Sequence, residues 1–86
     1  MNITSRKFGV EIEFVGASRD DVNQKVNSKG VRCRVEGYNH TTRSHWKIVT
    51  DASVRGGGEI VSPILEGEAG MRDLKKVCEA LNEAGA

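Results

Sequence analysis

The chain has 86 residues, enough for one domain and no second. Its 37% hydrophobic and 29% charged residues match a soluble globular domain and exclude a disordered one, and no apolar run approaches the ~20 residues of a membrane-spanning helix. A formal charge of +1 excludes strong whole-molecule attraction to nucleic acid, and equally the acidic excess of a DNA mimic.

The N-terminus, MNITSRKF, lacks the apolar stretch of a signal peptide, which points to the cytoplasm. From Arg6 to Val15 the pattern alternates strictly, so a strand is expected there. Phe8, Val10, Ile12 and Phe14 share one face, and Glu11 and Glu13 share the other, about 7 Å apart. Such a pair suits a metal, a cationic substrate or simply water. Gly16 and Ala17 turn the chain. Ser18, with Asp21 three positions on, forms a carboxylate variant of the capping box and opens a short helix over 19–28, with Val22 and Val26 on one face. Gly30 is placed to close it in the left-handed conformation.

Val31, Cys33 and Val35 alternate with Arg32, Arg34 and Glu36, a second strand with one wet face. GYNHTTRS reads as a loop and HWKIVT, residues 45–50, as a third strand. DASVRGGG is expected to be a turn, because three consecutive glycines fit poorly inside a strand or helix. EIVS makes a fourth strand, ended by Pro63. From about Gly67 to Asn82, Leu74, Val77, Cys78 and Leu81 recur at helical spacing, with Met71 one turn earlier and Gly85 as the stop. The expected fold is α+β, order β-α-β-β-β-α: a four-stranded, mostly antiparallel sheet with two helices on one face.

Three stretches offer carboxylates near strands or turns: EIE at 11–13, TDAS at 50–53 and GGGEIVSP at 56–63. Mg²⁺ takes hard oxygen ligands, so Glu11, Glu13 and Glu59 can form a metal site if their strands are neighbours. The segment Val31–Lys47 is mildly basic, with Arg32, Arg34, Arg43 and Lys47 against Glu36, and offers Arg32, Arg34 and Arg43 as anchors for an anionic partner; the alternative is a solvated face. Cys33 and Cys78 form no CxxC pair and read as small buried hydrophobes. His40 and His45 sit in a polar, loop-like stretch and read as surface residues. VRGGGE lacks the spacing of a phosphate-binding loop.

Taken in order, FGVEIEF, WKIVTDAS, GGGEIVSPILEG and a helix ending in NEAGA resemble the start of the amidoligase family, carboxylate–amine ligases with a glutamine-synthetase-like fold. The resemblance covers roughly residues 7–86, with a divergent middle over 17–44. It implies ATP and Mg²⁺ as cofactors where the ligase site is intact, a carboxylate activated as an acyl phosphate, and an amine that attacks it. It makes Glu11, Glu13 and Glu59 metal or nucleotide ligands, and matches Trp46, Asp51, Ser53 and Pro63 to further positions of the pattern. Ala52 stands where the family often has glycine.

In the family a strand with a C-G-x-H-V-H type motif follows, and later sheet carries basic residues for phosphate. Residues 1–86 are therefore expected to be one truncated amidoligase-like domain, which offers little wall for ATP and two further substrates. The favoured reading is a noncatalytic protein-binding or inhibitor module. Because relatives occur in phages and mobile elements, an anti-defence role of the anti-CRISPR type follows by analogy. The alternative is a Mg-ATP-dependent ligase acting as an oligomer or with a second chain. The expected partner is a protein target, with a homodimer through an exposed sheet edge also open; nucleic acid and membrane are not expected.

Overall fold

The computed structural model describes residues 7–37, 39–50 and 56–86. The elements are β1 (Lys7–Phe8), β2 (Glu11–Val15), α1 (Arg19–Ser28), β3 (Cys33–Val35), β4 (Trp46–Val49), β5 (Gly57–Val61), β6 (Leu65–Glu66) and α2 (Gly67–Glu83). A four-stranded sheet has the order β2-β5-β4-β3, and β1 pairs with β6 in a separate two-stranded ladder. Two of the three pairings in the larger sheet are antiparallel; β3 and β4 are parallel. The α+β class and both expected helices are present. Ser18 Oγ accepts from Asp21 N at 3.0 Å, and Gly30 has φ 85° just beyond α1.

The first expected strand is split into β1 and β2 because the ladder shifts register. Glu11 pairs with Val61, but Phe8 pairs with Leu65. Ser62 N donates to Val10 O at 2.9 Å, so one residue, Gly9, lies opposite two, Pro63 and Ile64. This is a β-bulge, where an extra residue bends the strand and a proline is tolerated. Ser62 Oγ accepts from Val10 N at 2.9 Å and closes the bend.

The core lies between the sheet and the helices. Phe14, Ile48, Ile60, Trp46 and Cys33 from the strands form one buried cluster with Val22 and Val26 of α1 and Val77, Ala80 and Leu81 of α2. The register explains this: Ile12, Ile60 and Ile48 are directly aligned across three strands and share one face. At the far end of the helices Lys29 forms an ion pair with Glu83, which raises the lysine pKa and lowers that of the glutamate.

Two expectations are corrected. Gly57 and Gly58 are inside β5, not in a turn; Gly56, at φ 74°, makes the bend before it. Their lack of a side chain is what lets the strands approach. A Cβ on Gly57 would overlap the Phe14 carbonyl oxygen, and one on Gly58 would stand 2.8 Å from Val49 O and 3.0 Å from the Arg19 side chain. The residues 51–55 of the same expected turn lie outside the described ones.

The second correction is Cys78, which is exposed, as is Met71. The buried stripe of α2 runs through Gly67, Gly70, Val77, Ala80 and Leu81. A Cβ at Gly70 would lie 2.8 Å from Leu65 Cβ, so the helix sits down on its small residues and turns Met71 and Cys78 outward. Cys33 is the buried hydrophobe expected of it, and burial pushes its thiol up to about 12, which removes it as a nucleophile near neutral pH.

Candidate functional site

The face of the sheet opposite the helices carries the acids. Glu13 and Glu59 are directly opposite each other on β2 and β5, and Glu11 is aligned with Val61 and then with Lys47 of β4 and Arg34 of β3. Glu11, Glu13 and Glu59 therefore share one face, on neighbouring strands. Their oxygen chemistry suits a hard cation such as Mg²⁺. Their placement is looser: among the described residues no group of three or more His, Cys, Asp or Glu side chains stands close enough to hold a metal ion. The donor type fits a hard cation, and the described geometry does not bring the three carboxylates together around one.

A cleft of about 240 Å³ opens on this face, lined by Glu11, Glu59, Val49, Val61 and Lys47, with Asn39, His40, Thr41 and Thr42 as its wall. A shallower hollow of about 430 Å³ shares Glu11, Val61 and Thr42 and runs on over the bulge to Ser62, Pro63 and Ile64. Together they make a groove with acids at its centre and apolar side chains along its floor. A larger hollow of about 590 Å³ lies elsewhere, at the start of α1, and none of the carboxylates of 11–13 and 59 lines it. There Arg19 Nη1 donates to Gly57 O at 3.0 Å and ties α1 to β5.

The wall is held by two charged side chains. Lys47 is only 3% exposed although its strand lies on the acidic face. Its Nζ donates to Asn39 O at 3.0 Å, Asn39 Oδ1 at 2.7 Å and Thr41 O at 2.7 Å, so three neutral oxygens use all its protons. Glu36, just after β3, holds the other end: Arg43 Nε is 3.0 Å from its Oε1, Asn39 Nδ2 is 3.3 Å from the same oxygen, and His45 Nε2 is 2.7 Å from its Oε2. The bond to His45, then those of Arg43 and Asn39, hold this carboxyl below the ordinary glutamate value against the opposing effect of burial.

The other candidate residues fall apart in space. Arg32 and Arg34 are exposed, whereas Arg43 is committed to Glu36. Trp46 is 2% exposed on the helix side, and its Nε1 has no acceptor among the described residues. A ring so buried offers no stacking surface to a nucleic-acid base. Asp51 and Ser53 lie outside the described residues. The sequence reading missed Lys47, Asn39 and the Glu36–His45 pair, and placed His45 on the surface, where its side chain is 13% exposed. A lysine inside the otherwise apolar WKIV was the available signal: a charge in a buried strand needs partners.

A mixed, bulged sheet with helices on one face and carboxylates of neighbouring strands on the other makes this an α+β domain with an acidic sheet face. A family model described as "Putative amidoligase enzyme" matches residues 4–86, and the chain belongs to that family. No curated protein and no solved structure matches it. Among the described residues no helix is long and apolar enough to cross a membrane.

Proposed function

We propose that this amidoligase-like domain works as a noncatalytic binding module that receives a protein partner on its carboxylate-bearing sheet face. The observation that carries the reading is the commitment of Lys47. Activating a carboxylate as an acyl phosphate requires cationic groups free to neutralise the moving phosphoryl group. Among the described residues Lys47 is the one lysine or arginine lining the acidic cleft, and its ammonium is spent on the wall. The anti-defence form of this reading, an inhibitor of a CRISPR-type machine, rests on analogy with relatives of the family.

The second reading is a Mg-ATP-dependent carboxylate–amine ligase completed by another copy or another chain. The register favours it at one point, the direct opposition of Glu13 and Glu59 beside Glu11. Two like charges placed face to face are destabilising unless something between them compensates.

Calorimetric titration with Mg²⁺ and Mn²⁺, with and without ATP, separates the two, run beside a variant carrying Gln at positions 11, 13 and 59. The module reading expects no carboxylate-dependent heat from metal and ATP together. A metal–ATP heat that vanishes in the variant overturns it and makes the ligase reading the one to pursue.

A further inference from the structure

The four-stranded sheet ends on β3 at one side and β2 at the other, and among the described residues the two ends are covered unequally. At β3, Asn27 of α1 covers the first residue of the strand, Cys33. Its Nδ2 donates to Cys33 O at 3.0 Å and its Oδ1 accepts from Cys33 N at 3.2 Å, the two bonds that a neighbouring strand would make. At β2 there is no such cover among the described residues. Because Val10 bonds toward Ser62, alternation along an antiparallel ladder turns Ile12 and Phe14 toward β5 as well. The N–H and C=O groups of Glu11, Glu13 and Val15 then point out of the sheet, and no hydrogen bond reaches them among the described residues.

Natural edges of this kind are blunted by charged side chains, lysine above all, by proline, by a bulge or by a covering element. Here the two glutamates and the bulge at Gly9 oppose pairing with an acidic or like strand while leaving a basic one unopposed. β2 reads EIEFV and has neither lysine nor proline. It carries two glutamates two residues apart on one face, the repeat distance of a strand, and neither makes an ion pair or hydrogen bond among the described residues. Val15, at the end of the strand, is 56% exposed.

The geometry points to the β2 edge as a docking strip for an extended segment of another protein with lysine or arginine at every second position, bound by strand addition. This rests on the binding-module reading and names the partner's chemistry. The incoming backbone pairs with Glu11, Glu13 and Val15, while its alternate basic side chains lie beside the two carboxylates. A second copy of this chain suits the edge less well. Pairing β2 with itself about a two-fold centred on Glu13 sets that carboxylate against its own copy, and centring on Ile12 sets Glu11 against Glu13 twice over.

The test is amide hydrogen exchange on the full, isotopically labelled chain. The probe is a short capped peptide of alternating valine and lysine, with an alternating valine and glutamate peptide as control. Basic peptide is expected to protect the amides of Glu11, Glu13 and Val15, leaving those of Ile12 and Phe14 as protected as before. The glutamate peptide is expected to protect none of them. Glu11→Gln with Glu13→Gln should weaken the basic peptide roughly 2- to 30-fold, and Glu11→Lys with Glu13→Lys should transfer the preference to the acidic peptide. Three outcomes overturn the proposal: edge amides already protected in the free monomer, protection that rises with protein concentration alone, or binding of the basic peptide that leaves these amides exchanging freely. The metal titration judges the module reading and this experiment judges the edge. Silent edge amides in a protein that also ignores Mg-ATP would sink only the docking strip.

Discussion

The two faces of the four-stranded sheet are built on opposite terms. Toward the helices, Ile12, Ile60 and Ile48 line up across three strands and join a buried cluster with the valines of α1 and α2. Toward solvent, the next aligned rows are Glu13 opposite Glu59, and Glu11 followed by Val61 and Lys47. One face gains from apolar area removed from water, about 25 cal/mol per Å². The other sets like charges opposite each other, an arrangement that packing does not reward, and one buried ammonium that must be satisfied by hydrogen bonds. A face that packing does not explain is where function is best sought, because burial alone gives no reason to keep it.

The sharpest way to break the contrast is to separate the strands that carry both faces. Gly57 is the place, since a methyl there has nowhere to go but into the Phe14 carbonyl oxygen. Gly57→Ala is expected to cost about 3 kcal/mol or more, because backbone and not a flexible side chain must move. Urea denaturation measures it. A cost under ~1 kcal/mol would mean that β2 and β5 are held further apart than their register implies.

The next step separates the loop wall from the acidic floor. Lys47→Met keeps the length and apolar stem of the side chain and removes the ammonium. Asn39 O, Asn39 Oδ1 and Thr41 O lose their donor, but Thr41 is exposed and Asn39 partly so, and water can replace it. Set against the desolvation of a buried charge that no longer has to be met, the net loss is expected at about 1–3 kcal/mol. Its readout is local: exchange protection should fall over residues 39–45, with little change at Ile48 and Ile60. Uniform loss across the sheet would show that Lys47 supports the fold and not just the wall.

These two residues also mark what the sequence made readable. Period-two alternation in FGVEIEF and helical spacing in 67–82 found the elements, because burial of one face imposes that repeat directly. The family motifs pointed to Glu11, Glu13 and Glu59, and the register places them on one face. The triple glycine misled for a reason that local propensity does not contain: close approach of two neighbouring strands favours glycine over its entropic cost. Lys47 was hidden in the same way, since its acceptors come from a loop six to eight residues back in the chain. Cys78 matched the helical stripe by spacing, but Gly67 and Gly70 set which side of α2 goes down. In each case a pairwise tertiary contact overruled a correct reading of the local pattern.

The smallest expected effect sharpens the contrast most. Glu13→Gln leaves the side chain's shape unchanged and removes one of two charges held opposite each other across β2 and β5. If the acidic face costs stability in the isolated chain, the variant should be more stable than the parent by roughly 0.2–1 kcal/mol, less so at high salt because the pair is near the surface. Urea midpoints for parent and variant, at low and at high ionic strength, read this directly. The same pair of titrations with Mg²⁺ present gives the converse. A cation seated between Glu13 and Glu59 would raise the parent's midpoint and not the variant's, reversing the order of the two proteins. A variant less stable than its parent without any added metal would show that Glu13 is already usefully engaged, and the acidic face would then belong to the fold's support and not to its exposed working surface.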